Sequence, residues 1–413
     1  MTSRPCILLI GEGVSLAHIG RMLTLAAALD PGRYDIHFAC DGKYEKLVTA
    51  TPNLTFHALH TIPGAQWMEA MERKDATYTD ADIAAYIEAE LELFRRLKPA
   101  MIVADTRFSV STTAEYLGIP HAPLVNGYWS PYAEHNIYEP IDQPLRLMAR
   151  RAKQRLKAMG RALLGRPAPS DDLDTIAFNK ARRKLGLKPV KDFYDLASRG
   201  TYTLYADAPG VFAMRPTPAS HIHLGPVLWS PATPLPVWWE TWDPAKPLIY
   251  MTLGTTGAAD TVPRIVGALA ELPVSVMVAT AGRTEFGEVP DNVFVADYLP
   301  GLECASRASV VVSNGGSATS YQGLIHGAPV VGVWSNPDQE LIMSQISRMG
   351  AALSLPAVDI DPQVIKEMTR RVLEEPSFRR AAGEIAEKFA AAKVEVEFNR
   401  FLDRALGAGR AAA

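Results

Sequence analysis

Two groups of residues in this chain have the types and spacing to do chemistry. His18 stands in GEGVSLAHIGRMLTLAAAL (11–29), just after a short apolar run, and Asp105 follows another such run at 101–104. A histidine titrates near neutrality and can take a proton from a hydroxyl. A carboxylate on its other ring nitrogen would fix the tautomer and steady the imidazolium. The second group lies in SVVVSNGGSATSYQGLIHGAPVVGVWSNPDQE (309–340). Gly315 and Gly316 permit a sharp turn at a strand end, and 317–325 reads as a helix whose first amides point at that turn. Free amides and the helix dipole bind phosphate in such a place. Thr319 adds a hydroxyl, while Asp338 and Gln339 offer an acceptor and a mixed donor–acceptor suited to sugar hydroxyls. Ordinary readings stand beside these: His18 as a helix cap or exposed side chain, Asp105 as a strand-end aspartate, and 314–339 as a glycine-rich turn with a polar loop.

These residues need a scaffold, and the apolar pattern supplies one. Short β-rich runs at 6–10, 34–39, 101–104 and 121–126 in the first half alternate with helical patterns. The second half repeats the plan at 248–253, 274–279, 293–296, 309–313 and 329–334. Near-continuous apolar strands read as parallel and buried on both faces, with helices as right-handed crossovers. The fold class is therefore α/β, with two Rossmann-like domains. We divide the chain into 1–224, a proline-rich connector at 225–247, a second domain at 248–385, and a helical pattern at 386–413 that runs back towards the first domain. In open parallel sheets ligands bind beyond the carboxyl ends of the strands. Polar residues collect at those ends in both halves, which predicts a cleft between two facing domains. Two adjacent strand ends would bring His18 and Asp105 within reach. Gly11 and Gly13 hint at a dinucleotide fingerprint, but Leu16 stands where its third glycine belongs. The nucleotide is therefore expected near Gly315, and the first two glycines are expected to let the chain turn tightly after the first strand.

Composition narrows the class. The chain has 413 residues, 48% of them hydrophobic, and a net charge of −3, which argues against a nucleic-acid binder. Three scattered cysteines, Cys6, Cys40 and Cys304, make neither a disulfide framework nor a zinc ligand set, so a cytoplasmic location is expected. No run is long and apolar enough for a signal peptide or a membrane span. The stretch 144–167 carries eight Lys and Arg residues, no acid, and interleaved leucines and methionines. It reads first as a solvated helix whose apolar side packs on its own domain, and peripheral contact with an anionic membrane is the alternative. Asp80/Asp82 and Asp172/Asp174 read as first-turn acids, and His221/His223 as structural, so no catalytic metal is expected.

The 309–340 stretch resembles the donor-binding signature of family 1 glycosyltransferases, inverting enzymes of GT-B fold. Gly327-Ala328-Pro329 and Asp338-Gln339 match that pattern, FVADYLPG resembles its nucleobase-holding segment, and TLGTTG resembles its loop near the donor phosphates. HFACDGKY, NGYWSPY, TLYAD and LGPVLWSPA most resemble the actinobacterial branch that glycosylates phenolic glycolipids, which includes rhamnosyltransferases. The resemblance implies His18 as catalytic base and Asp105 as its partner. It implies Gly254, Thr255, Asn314, Gly315, Gly316, Ser317 and Thr319 around the diphosphate, Tyr298 stacking on the base, Gln322 on the ribose, and Asp338 and Gln339 on the sugar. The family usually has histidine at the position of Asn314; an asparagine can donate a hydrogen bond there but carries no charge. We assign Trp67, Arg107, Tyr128 and Trp129 to the acceptor side.

The reading that follows is a metal-independent, inverting transfer of a hexose from a UDP-glucose or dTDP/UDP-rhamnose type donor to a hydrophobic, aromatic or lipid-like hydroxyl. The nucleotide sugar is a co-substrate, no cofactor is expected, and domain closure is expected to exclude water, since hydrolysis competes. A sugar-nucleotide epimerase and a non-catalytic nucleotide-sugar-binding partner are the rival readings; a nicotinamide oxidoreductase is disfavoured by Leu16.

Overall fold

The computed structural model describes residues 4–73, 75–134, 156, 171–231, 233–254, 257, 259–358 and 360–411. The basic stretch 144–167, except Leu156, and Thr255 lie outside the described residues. The chain divides into two compact units. Unit one is Met1–Glu134, Ile141–Val227 and Ala392–Ala413, and unit two is His135–Pro140 and Leu228–Ala391.

Unit one is built on β1 (Cys6–Gly11), β2 (Asp35–Cys40), β3 (Thr55–Ala58), β4 (Met101–Asp105), β5 (His121–Val125), β6 (Thr203–Tyr205) and β7 (His221–His223). They pair in the order β3-β2-β1-β4-β5-β6-β7, every pair parallel. The inner strands are apolar along their length because helices cover both faces: Ile7, Leu8, Leu9 and Ile10 are all fully buried. After β1 the chain enters the helix Leu16–Ala27, whose Ile19, Met22, Leu23 and Ala26 recur at helical spacing and are buried. Gly11 and Gly13 have no positive φ. A Cβ on Gly11 would lie 2.8 Å from the Ile19 Cδ1 atom, and one on Gly13 would lie 2.5 Å from the Asp41 Cβ atom. The chain does turn here, at Gly13–Val14, and the need for glycine comes from neighbouring elements that approach closely and not from a positive φ. Asp80 and Asp82 do stand in the first turn of the helix Asp80–Leu97, where Thr79 and Asp82 form a capping box.

Unit two is built on β8 (Leu248–Thr252), β9 (Ser275–Ala279), β10 (Val293–Ala296), β11 (Val310–Ser313), β12 (Val330–Trp334) and β13 (Ala352–Pro356), in the parallel order β10-β9-β8-β11-β12-β13. Ile249, Met251, Val276, Val278, Val310, Val312 and Val331 form its sealed core. The proline-rich segment packs on this unit. Trp239 is buried among Leu248, Tyr250 and Met277, with the Arg307 guanidinium 4.9 Å from its ring centroid. The Trp238 indole N–H donates to the Val295 carbonyl at 3.2 Å, covering the edge strand β10. The helical pattern expected over 386–413 is interrupted: it falls on the end of one helix, Pro376–Ala391, and on a second, Val394–Ala411. The last helix packs Phe398, Phe401 and Leu402 into unit one, and Asn399 Nδ2 donates to the Ala28 carbonyl at 2.8 Å.

Each sheet changes direction once, between β1 and β4 in unit one and between β8 and β11 in unit two. At such a switch point the connections leave to opposite sides and open a crevice at the carboxyl ends.

Candidate active site

At the switch point of unit one, Gly11 pairs with Asp105, and the Glu12 amide donates to the Asp105 carbonyl at 3.1 Å. Asp105 closes β4 with its side chain fully buried. His18 is the third residue of the helix after β1, which carries its ring over that strand end. Its Nδ1 lies 3.1 Å from Asp105 Oδ1, with 18% of the side chain exposed. Burial alone would raise the Asp105 pKa, but the charges of Arg21 and His18 and their hydrogen bonds bring it down to about 2. An ionised carboxylate only accepts, so Nδ1 carries the proton and Nε2 is the basic nitrogen.

Further residues complete this cluster. Arg21 sits one turn after His18 on the same helix and grips Asp105 with two bonds, Nε to Oδ2 at 2.7 Å and Nη2 to Oδ1 at 2.6 Å. Its Nη1 donates to Asn126 Oδ1 at 2.9 Å, and Asn126 Nδ2 donates in turn to Asp207 Oδ1 at 3.1 Å. The Thr106 hydroxyl donates to Asp105 Oδ1 at 2.9 Å and lies 3.1 Å from His18 Nδ1. Thr106 has φ +59°, a strained setting for a β-branched residue and one that marks sites where geometry is over-determined. Sequence alone does not single out Arg21, although its spacing of three from His18 puts both on one helix face. Asn126 and Asp207 are legible only once β5 is known to neighbour β4, and β6 to neighbour β5.

The residues assigned to the acceptor side differ in burial. Arg107 is buried: its Nε donates to Glu90 Oε1 at 2.7 Å, its Nη1 lies 3.5 Å from Glu12 Oε2, and it stacks 4.1 Å from the Tyr86 ring centroid. Burial pushes the Glu12 carboxyl up, against the opposing charges of Arg107 and His18. Tyr128 is a core side chain, set edge-on to Phe212 at 5.3 Å. Trp67 is half-buried against the Tyr78–Tyr86 cluster. Trp129, also half-buried, packs on Phe108 and Phe193.

At the switch point of unit two, β11 ends at Ser313 and Asn314-Gly315-Gly316 turn into the helix Ser317–Leu324. Gly315 has φ +77°, and a Cβ there would lie 2.6 Å from the Met343 Cγ atom, so no other residue fits without displacement. Its amide donates to Ser313 Oγ at 3.0 Å, and the Gly316 amide donates to Asn314 Oδ1 at 3.1 Å. Asn314 thus uses its carbonyl to hold the turn, a bond that a histidine at this position would not reproduce in the same form. No side chain caps the helix start, which leaves its first amides directed at the turn. Gly254, at φ +59°, follows β8 and comes near: a Cβ on it would lie 3.8 Å from Asn314 Nδ2. Arg283, which sequence reading does not single out, has an exposed guanidinium here, with Nη1 donating to the Gly257 carbonyl at 2.8 Å.

The other expected donor residues are arranged around this turn in different ways. Ser317 and Thr319 are half-exposed in its first helical turn. Tyr298 is 52% exposed and its hydroxyl donates to the Ala281 carbonyl at 3.3 Å. Gln322 is buried, with Nε2 donating to the Trp229 carbonyl at 3.1 Å. Asp338 stands in the first turn of the helix Pro337–Arg348. Gln339 Oε1 accepts from the Ser335 amide at 2.8 Å. Among the described residues, no group of three or more His, Cys, Asp or Glu side chains is arranged to hold a metal ion. No helix among them is long and apolar enough to cross a membrane.

Comparisons with known proteins bear on this arrangement. Residues 263–402 match the family described as erythromycin biosynthesis protein CIII-like, C-terminal domain. The chain is 39% identical over 404 residues to a PGL/p-HBAD biosynthesis rhamnosyltransferase of Mycobacterium bovis, covering 98% of this chain and 88% of that one. It is 38% identical over 387 residues to a PGL/p-HBAD biosynthesis glycosyltransferase of Mycobacterium tuberculosis, covering 94% and 89%. Among solved structures, the spinosyn forosaminyltransferase SpnP superposes with a TM-score of 0.71 at 19% identity, covering 98% of this chain and 100% of that one.

Proposed function

The chain belongs to the family of the PGL/p-HBAD biosynthesis glycosyltransferases and has their GT-B type of fold, and from that premise we propose that it transfers a hexose, with inversion, to an acceptor hydroxyl deprotonated by His18. The observation that carries this reading is the His18 Nδ1–Asp105 contact at the β1/β4 switch point, which leaves Nε2 as the nitrogen that can accept a proton. His18 Nε2 takes the acceptor proton, and the acceptor oxygen bonds to the anomeric carbon. The bond from that carbon to the diphosphate oxygen breaks, and the nucleoside diphosphate leaves with the electron pair. Asp105 holds the resulting imidazolium.

The departing charge needs stabilisation, and unit two offers it from amides and a guanidinium. The Gly315–Gly316 turn directs the first amides of Ser317–Leu324 to one point, and Arg283 and Asn314 Nδ2 border the same loop. Preorganised donors of this kind stabilise an oxyanion without a metal. Tyr298 is assigned to the nucleobase, Gln322 to the ribose, and Asp338 and Gln339 to the sugar hydroxyls. The names of the relatives support a rhamnose-type donor and an acceptor hydroxyl on an apolar, aromatic or lipid-like body. Incubating the protein with UDP- and dTDP-linked glucose and rhamnose, with and without a phenolic or lipid-like hydroxyl, tests this. Acceptor-dependent release of nucleoside diphosphate, with a product anomer opposite to the donor's, is the expected outcome. Donor turnover that ignores the acceptor would contradict it.

A further inference from the structure

Asp105 is held less by His18 than by its other partners. A carboxylate offers about four lone-pair directions. Arg21 takes one on each oxygen with the shortest bonds, 2.6 Å to Oδ1 and 2.7 Å to Oδ2, while Thr106 at 2.9 Å and His18 at 3.1 Å share what is left of Oδ1. The orientation of the carboxylate is therefore set by the guanidinium fork. The third arm of that fork reaches Asn126 Oδ1, and Asn126 leads directly into the turn Gly127–Trp129, whose first amide donates to Asp207.

We infer that Arg21 is a positioning residue for the base: it fixes the Asp105 carboxylate in front of His18 and ties it, through Asn126, to the end of β5. The inference rests on the reading of His18 as the base. Arg21 also places a permanent positive charge on the carboxylate that His18 uses. The charged and polar groups around His18 are Asp105, Arg21, Glu12 from the end of β1, and the Thr106 hydroxyl; those around Arg21 also include Asp207 and Tyr128. Taking away the guanidinium leaves Asp105 with His18 and the neutral Thr106 hydroxyl and no cation beside it, which favours the imidazolium. Arg21→Met should then move the acidic limb of the kcat/KM profile up by about one pH unit, and lower kcat about 10- to 100-fold because the carboxylate loses its fixed orientation. Donor KM should hold, since unit two carries the donor residues. Arg21→Lys keeps the charge but replaces a rigid fork by a single point donor. It should leave the acidic limb in place and still lower kcat.

The deciding experiment is NMR titration of the His18 ring protons in the whole protein, with no substrate present, in wild type, Arg21→Met and Arg21→Lys. An upward shift in the Met variant and none in the Lys variant supports the inference. Equal titration in wild type and the Met variant overturns it, as does a loss of thermal stability with no movement of the titration. Should the Met variant not fold, the Lys variant decides through kcat, and a wild-type kcat overturns the inference. The titration reads the Arg21–Asp105–His18 coupling whether or not His18 is the base. A His18→Ala enzyme that still transfers sugar would refute the functional reading without touching it.

Discussion

Replacing Asp105 by asparagine separates what the carboxylate does for stability from what it does for the reaction. The side chain is fully buried, and its pKa lies near 2 instead of the ordinary carboxylate value. At about 1.4 kcal/mol per unit, that difference corresponds to roughly 2 kcal/mol of stability at neutral pH. Because the folded pKa is depressed, this contribution is present above the ordinary carboxylate value and is lost as pH falls towards 2. The Asp105→Asn variant would lose that contribution and also leave the Arg21 guanidinium buried beside a neutral amide, so the total cost should reach about 3–5 kcal/mol. Catalysis should fall further than stability suggests, by roughly 10²–10⁴ in kcat, since the amide can neither fix the tautomer nor balance the imidazolium. Urea unfolding and acceptor-dependent diphosphate release measure the two losses on the same preparations. Combining Asp105→Asn with Arg21→Met removes the stranded cation, and should return most of the stability but none of the rate. Strictly additive stability losses in the double variant would refute the shared-carboxylate arrangement. So would an Asp105→Asn enzyme within about tenfold of wild-type kcat.

Other expectations concern both units. Gly315→Ala must adopt φ +77° and displace Met343, so nucleoside diphosphate binding by calorimetry should weaken about tenfold, with about 1–2 kcal/mol lost on unfolding. Glu12 has a raised pKa, so the stability it contributes is present at low pH and lost as pH rises through the raised value; denaturation followed upward from the ordinary carboxylate value should show Glu12→Gln losing less stability than wild type. Glu90→Ala removes the close ion pair of the buried Arg107 guanidinium and leaves it the Glu12 carboxyl at 3.5 Å, and thermal unfolding should show a cost of about 3 kcal/mol. Prolonged treatment with a divalent-ion chelator should leave the transfer rate unchanged, and loss of activity restored by one cation would overturn the amide-and-guanidinium account of the leaving group.

The inner strands are legible in the sequence because burial on both faces demands unbroken apolar runs, as in Ile7–Ile10 and Val310–Val312. Thr55–Ala58 and Thr203–Tyr205 escape this test because they are short, and Ala352–Pro356 because it is an edge strand with Leu353 and Ser354 only partly buried. His18 and Asp105 could be paired in advance because each follows a strand and strand ends converge at a switch point. The guanidinium between them could not, since a helical arginine three residues after a histidine has the same pattern whether it points to solvent or to a buried carboxylate. The same holds for Arg107, whose buried acids Glu12 and Glu90 come from separate elements. Gly11 and Gly13 illustrate a further limit. Their identity is set by what packs against them, Ile19 and Asp41, and close approach leaves no mark in local sequence.

The central claim is that His18 is the base for an acceptor hydroxyl, and the measurement that tests it most directly is acceptor-dependent diphosphate release by His18→Ala beside wild type, with donor binding measured on the same samples. A fall of about 10³-fold or more in kcat, with donor affinity within about twofold, is the predicted result. Transfer that survives unchanged in His18→Ala would contradict it.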